Sequence, residues 1–228
     1  MRRVYAIGDI HGRLDLFEAA LRAIEAHAGG APRQIVCLGD YIDRGPQSAE
    51  LVARLRKLVG PDFVCLKGNH EAMMVEAIRG RGTAAIDMWL DNGGAQTAQS
   101  YGGFDAAPAA DLDWMDGLPL WWSDPWRDYV HAGVEPGAPM AAQDPATLLW
   151  IRDRFLRAPP DTLPRHIVHG HTPRWRGKPE LSAPELLPHR TNLDTGAWTT
   201  GVLTVGVFDP DRPGGPLEVL PVRLAPGG

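Results

Sequence analysis

Seven polar side chains able to hold a metal ion stand where short apolar runs of this sequence end: Asp9 and His11, Asp40, Asn69 and His70, His131, and His171. Carboxylate and amide oxygens mixed with imidazoles suit Mn²⁺, Fe or Zn²⁺, and the set is too rich in nitrogen for Mg²⁺ or Ca²⁺. It is large enough for two divalent ions. In Asp9-Ile10-His11 the i, i+2 spacing predicts an extended segment with both polar side chains on one side and Ile10 turned into the core, so that one ion takes both. A single Gly-Asp before a loop is ordinary turn chemistry. The recurrence carries the argument: half of the eight histidines close an apolar run in this way.

Such residues need elements that bring them together. Residues 4–7 read as a strand ending at Gly8-Asp9, after which Leu14, Phe17, Leu21, Ile24 and Ala28 recur at helical spacing. Residues 35–38 read as a second strand ending at Gly39-Asp40, followed by a helix capped by Ser48 with Leu51, Val52, Leu55 and Leu58 on one face. A third, residues 63–66, ends at Gly68-Asn69. In βαβ units the carboxyl ends of parallel strands share one sheet edge, so these three loops converge. Residues from about 71 to 117 read as a helical insertion broken by the Gly-rich turns GRGT, DNGG and YGG. Tyr129-Val130 leads into His131, Ile167-Val168 into His169-Gly170-His171, and residues 191–193 into Asp194. Residues 146–156 read as one helix, 201–208 and 217–224 as two closing antiparallel strands, and 135–145, 173–190 and 209–216 as surface loops. The pattern predicts an α/β chain, one domain over residues 1–228.

With 228 residues, 44% of them hydrophobic and 22% charged, the chain has the composition of a soluble globular protein with one sizeable core. Its net charge of −5 and scattered arginines leave no basic stripe for a phosphate backbone, which argues against a nucleic-acid partner. No apolar run is long enough for a signal peptide or a membrane span, which argues against a membrane partner. Cys37 and Cys65 lie in apolar runs and read as buried, reduced residues of a cytoplasmic protein. His70-Glu71 opens like HExxH, but Met74 ends that reading, and no GxGxxG, P-loop or GxSxG occurs. Trp121, Trp122 and Trp126 lack cationic interleaving and read as core or groove wall. His27, His166 and His189 read as surface or capping residues.

The blocks GDIHG (8–12), GDYIDRG (39–45), GNHE (68–71), VHAG (130–133) and GHTP (170–173) resemble the signature of the metallophosphoesterases, specifically the phosphoprotein phosphatase branch and its bacterial members. NGGAQTAQSYG and LLWIRDRFL are similar to stretches of the same bacterial enzymes. The resemblance implies a four-layer sandwich: two mixed β-sheets flanked by helices, with a dimetal site at the strand ends. It implies that Asp9 and His11 hold one ion, that Asp40 bridges, and that Asn69, His131 and His171 hold the other, Mn²⁺ being the first expectation and Fe or Zn²⁺ the alternatives. It further implies Arg44 as a phosphate ligand, Asp43 paired with His70, His70 as proton donor, and Arg152 as a second phosphate-binding arginine. His169 departs from the GHxH pairing of related enzymes, because Pro173 follows, and reads as a supporting or packing residue.

The activity so implied is hydrolysis of phosphoserine, phosphothreonine or phosphotyrosine, in proteins or small phosphoesters, by a hydroxide held between the two metals. The close rival is symmetrical hydrolysis of diadenosine tetraphosphate, whose enzymes typically carry Ala where this chain has Asp43. A non-catalytic phosphoprotein-binding module is the rival of a different class, and the intact set of ligands and proton donor argues against it.

Overall fold

The computed structural model describes residues 2–174 and 182–224. Its elements follow the strand–helix alternation of the sequence. Strands β1 (Arg3–Ile7), β2 (Arg33–Cys37) and β3 (Phe63–Cys65) pair in parallel in sequence order, with α1 (Leu14–Ala28) and α2 (Ser48–Leu58) as their crossovers. Then α3 (Asn69–Gly80), α4 (Thr83–Trp89), a π-helical turn at Leu90–Gly94, α5 (Ala95–Tyr101) and α6 (Ala109–Asp116) form a helical run. A second sheet follows. In it β5 (Arg127–Val130), β6 (His166–His169) and β8 (Arg190–Asn192) are parallel, and β4 (Trp121–Ser123) and β7 (Glu185–Leu186) are antiparallel edges. The chain returns to the first sheet with β9 (Leu203–Phe208) and β10 (Glu218–Val222), giving the orders β10-β9-β1-β2-β3 and β4-β5-β6-β8-β7. Helices α7 (Pro145–Trp150) and α8 (Asp153–Leu156) lie between β5 and β6 in the chain, and α9 (Ala197–Thr200) precedes β9.

Strand periodicity explains the layering. Alternate residues of β1 and β2 point to opposite faces. Val4, Ala6 and Val36 meet Tyr129 and Val168 of the second sheet in a core between the sheets, closed by Leu38, Leu66, Leu193 and Phe208. Tyr5, Ile7, Ile35 and Cys37 point the other way, into a larger core with Leu16, Phe17, Ile24, Leu51, Val52 and Leu55 of the first two helices. A third core sets Val130 and Ile167 against Leu148 and Phe155. The result is helices, sheet, sheet and helices, the four layers expected.

Arg127 fastens the sandwich at the end remote from the loops after β1, β2 and β3. It is 1% exposed, and its guanidinium donates to Asp124 Oδ2 at 2.8 Å and to the carbonyls of Gly214, Asp209 and Arg212 at 2.6, 3.1 and 2.6 Å. It also lies over the Phe208 ring. One fully buried cation thus ties the second sheet to the segment joining β9 and β10.

Four local expectations differ from the structure. Ser48 does not cap α2 but is its first residue, and its hydroxyl accepts the Asp43 N–H at 3.2 Å. The helix expected over residues 146–156 is two helices, broken where Ile151 (ψ 139°) and Arg152 (φ −129°, ψ −103°) leave helical geometry. His166 is a buried strand residue, with Nε2 2.9 Å from Thr191 Oγ1. Trp121 is exposed, whereas Trp122 packs on Tyr129. Of the loop expected at 173–190, residues 175–181 lie outside the described residues.

Arg127→Met is expected to destabilise the protein by about 3–5 kcal/mol, because it leaves Asp124 charged and buried without its cation. The low end is expected, since Tyr129 Oη still donates to Asp124 at 2.9 Å. Urea unfolding measures the loss.

Candidate metal centre

The loops after β1, β2, β3, β5 and β6 meet at one edge of the sandwich, and Asp40 is their meeting point. Asp40 Oδ1 accepts the His70 backbone N–H at 3.1 Å and stands 3.3 Å from His131 Nε2. Asp40 Oδ2 is 3.6 Å from His11 Nε2 and 3.8 Å from His70 Nε2. Asn69 Oδ1 lies 2.8 Å from His131 Nε2 and 2.8 Å from His171 Nδ1. All six of these side chains are buried.

Proton positions decide what these contacts mean. His131 Nδ1 is 2.9 Å from the Leu38 carbonyl and His11 Nδ1 is 2.9 Å from the Ile42 carbonyl. A carbonyl only accepts, so each Nδ1 carries the ring proton and each Nε2 is bare. Burial lowers the pKa of both rings and so keeps a second proton off them. Bare nitrogen, amide oxygen and carboxylate oxygen therefore face one another around His131. Asp9 Oδ1 and His171 Nε2 are buried with no hydrogen-bond partner. A cation is the group that satisfies such a set.

Two groups of three have ligand atoms close enough to share an ion: His11–Asp40–His70 and Asp40–His131–His171. They have Asp40 in common, and Asn69 Oδ1 joins the second. The residues present thus fit a dinuclear divalent-metal site. Burial, then the charges of Asp194 and Asp40, pushes the Asp9 carboxyl well up; burial and Asp40 lift Asp194 to about 6, against the Gly196 N–H. Acidic groups crowded and raised in this way are suited to a neighbouring cation.

Asp9 lies outside both groups. Its Oδ2 accepts the His171 N–H at 3.0 Å, and its Oδ1 is packed so tightly on Gly170 that a Cβ there would stand 2.0 Å away. The Asp9-Ile10-His11 segment is not extended: Ile10 is buried as expected, but His11 has φ 48°. In place of Asp9, His70 stands in the His11 group.

Backbone strain is concentrated here. Among the described residues six non-glycines have positive φ, and five are His11, Asp40, Asp43, Arg44 and His171. Glu71 holds one of these turns in place. Its carboxylate accepts the backbone N–H groups of Asp40 (3.0 Å), Tyr41 (2.8 Å), Ile42 (3.3 Å) and Gly68 (2.9 Å). Gly68 has no alternative residue, because a Cβ would lie 2.2 Å from Asp40 Oδ1.

Within the His11–Asp40–His70 group, His70 Nδ1 donates to Asp43 Oδ2 at 2.6 Å. Burial lowers the His70 pKa, but Asp40 and Asp43 prevail and raise it above its ordinary value. The Arg44 guanidinium donates to His11 Nε2 at 2.8 Å and to His70 Nε2 at 3.0 Å, and lies 5.6 Å from the centre of the Trp198 ring. Arg152 donates to the His171 carbonyl at 3.2 Å and to Thr172 Oγ1 at 3.1 Å. The break between α7 and α8 turns it to that position. His169 stays out: Gly170 O and Arg190 engage its nitrogens and its ring abuts Phe155, so it packs.

Sequence reasoning assigned no role to Glu71, Asp194 or Trp198. Glu71 stands in the GNHE block, and Asp194 ends a strand as Asp9 and Asp40 do, but without the Gly that precedes them. Trp198 gives no local signal.

Comparison with known proteins agrees with this centre. A family model for calcineurin-like phosphoesterases matches residues 2–196. Serine/threonine-protein phosphatase 1 of Salmonella typhimurium is 28% identical over 210 residues, covering 90% of this chain and 91% of that one. Serine/threonine-protein phosphatase 2 of Escherichia coli is 39% identical over 95 residues, 41% of this chain, and the match spans only 39% of that protein. A symmetrical bis(5′-nucleosyl)-tetraphosphatase of Paracidovorax citrulli is 30% identical over 188 residues, 75% of this chain and 58% of that one. Among solved structures, a protein described as a diadenosine tetraphosphatase superposes with a TM-score of 0.70 at 22% identity, over 96% of this chain and 93% of that chain. No helix among the described residues is long and apolar enough to cross a membrane.

Titration with Mn²⁺, read by calorimetry and elemental analysis, is expected to give two ions per chain. His131→Ala should retain one of them and Asp40→Asn neither. At a hundredfold excess over Kd each retained ion should add about 2.7 kcal/mol to unfolding stability.

Proposed function

Since the chain belongs to the calcineurin-like phosphoesterase family, we propose that the cluster around Asp40 is the active centre of a phosphoester hydrolase in which Arg44, Arg152, His70 and Asp43 act on the phosphoryl group. The observation that carries this reading is the pair of ligand groups that meet at Asp40. Asp9 and His11, bridged by Asp40 to Asn69, His131 and His171, are the proposed ligands, and Mn²⁺ is the proposed metal, with Fe or Zn²⁺ as alternatives. Divalent ions held there supply Lewis acidity, which makes a hydroxide nucleophile available at neutral pH and neutralises charge on the phosphoryl oxygens.

The protein's own groups do the rest. Arg44 presents a planar fork beside His11 and His70, and a guanidinium matches two equatorial phosphoryl oxygens better than an ammonium does. Arg152, beside the His171 carbonyl, approaches from the other flank. When a phosphoryl group takes the Arg44 fork, His70 Nε2 is freed to take up a proton from water and pass it to the leaving oxygen, while Nδ1–H stays on Asp43. The arrangement is that of an imidazole oriented by a buried carboxylate.

Two substrate classes stand. The sequence places phosphoserine and phosphothreonine proteins first, and phosphotyrosine beside them. The named likenesses support the alternative, symmetrical cleavage of diadenosine tetraphosphate, better than the phosphoprotein reading, through tetraphosphatases about 30% identical over as much as three quarters of the chain. The Asp43–His70 pair speaks for the phosphomonoester class, because a serine or threonine alkoxide leaves poorly without a proton and a nucleoside diphosphate does not need one.

Side-by-side rates on a phosphoserine peptide and on diadenosine tetraphosphate order the two classes; a strong preference for the dinucleotide removes the phosphoprotein reading. Chelation should abolish turnover of p-nitrophenyl phosphate. His70→Asn should lower kcat on an alkyl phosphate by about 10²–10⁴-fold and on p-nitrophenyl phosphate by much less. Absence of turnover on every phosphoester with every divalent metal would leave the binding-module reading in its place.

A further inference from the structure

The Asp43 carboxylate is fully buried, and only one of its hydrogen bonds goes to His70. The others come from the helical run. Trp89 Nε1, at the end of α4, donates to Asp43 Oδ1 at 3.0 Å and Oδ2 at 3.2 Å. Thr97 Oγ1, on α5, donates to Oδ1 at 2.7 Å and in turn accepts the Asp43 backbone N–H at 2.8 Å. Trp89 and Thr97 are themselves fully buried. The DNGG turn between them is shaped around this contact. A Cβ on Gly94 would lie 2.6 Å from the Trp89 ring, a Cβ on Gly93 would lie 2.8 Å from Arg44 Cγ, and the Gly93 carbonyl accepts the Arg44 N–H at 3.1 Å.

We propose that Trp89 and Thr97 are positioning residues that aim the Asp43 carboxylate at His70, so that the helical run sets the orientation of the proton donor. Thr97 and the shorter branch of the Trp89 donor sit on Oδ1, which leaves Oδ2, shared only with the longer Trp89 branch, as the oxygen for His70 Nδ1–H. They also fix the carboxylate plane, and Thr97 steadies a backbone held at φ 71°. An imidazole oriented in this way keeps its proton at Nδ1 and directs Nε2 to the leaving oxygen. This rests on the reading of His70 as a proton donor.

The test separates aiming from packing. Trp89→Phe keeps a ring and removes the donor; Thr97→Val keeps the shape and removes the hydroxyl; Thr97→Ser restores it. kcat is measured on a series of aryl phosphates of graded leaving-group pKa, with thermal unfolding and metal content as controls. Trp89→Phe and Thr97→Val should each lose about 10–100-fold on the poorest leaving group, lose little on 2,4-dinitrophenyl phosphate, and steepen the dependence on leaving-group pKa. Thr97→Ser should recover the wild-type slope. In an Asp43→Ala background Trp89→Phe should have no further effect on kcat. Equal losses on every substrate, or additive losses in the double variant, overturn the proposal. The proton NMR signal of His70 Nδ1–H provides a readout independent of turnover: it should lie far downfield in the wild type, vanish in Asp43→Ala and move upfield in Trp89→Phe. An unmoved signal overturns the proposal, whereas a catalytically inert wild type with a moving signal overturns only the reading of the site as a phosphoesterase.

Discussion

Electron pairs turned towards one another, with no hydrogen among them, are the constraint around which this molecule is built. His131 Nε2, Asn69 Oδ1 and Asp40 Oδ1 converge because the opposite nitrogen of the ring is committed to the Leu38 carbonyl. In a core of low dielectric such a set repels itself unless positive charge is present. Much of the surrounding backbone can be understood as holding it in place. The Glu71 carboxylate gathers four N–H groups of the Asp40 and Gly68 turns, Gly68 and Gly170 let two acidic side chains pack against bare backbone, and both sheets contribute strands whose ends point at one place. The Arg44 fork, set on His11 and His70, places the protein's own positive charge against the same cluster.

The polar strand ends that converge here are legible in the sequence for a physical reason. A strand end is marked by an apolar run that stops at a polar residue, in most cases after a Gly, and this signal is local, so Asp9, Asp40, Asn69, His131 and His171 could be picked out without a fold. Parallel βα connectivity then supplied the convergence. Local patterning also gave the four layers, since alternate residues of β1 and β2 divide between the two cores. It could not give what depends on tertiary contact. The continuous apolar spacing of residues 146–156 hides the break that turns Arg152 towards His171, and the i, i+2 spacing at Asp9 assumes an extended backbone where His11 is left-handed. Ser48 has the residue type of a helix cap but lies close enough to the Asp43 turn to be used there instead.

Trp89, Thr97 and Trp198 escaped sequence reading because their partners are distant in the chain. Trp89 and Thr97 reach Asp43 across roughly fifty positions, and Trp198 comes to Arg44 from α9, the helix between β8 and β9. The segment that reads from sequence as a helical insertion is joined to the site by hydrogen bonds at a carboxylate. Its Gly-rich turn, which looks like a simple interruption between helices, is the close approach that lets an indole and an arginine share that space.

The left-handed turns at His11, Asp40, Asp43, Arg44 and His171 have a consequence for engineering. Each non-glycine residue held in that conformation costs of order 1–3 kcal/mol, with the aspartates towards the low end. Stability selections run without a catalytic screen would therefore drift towards glycine at these positions and yield a hardier scaffold with an inert centre. The same loops are thus where thermal robustness and turnover compete most directly, and stabilising efforts are better directed to the far end of the sandwich.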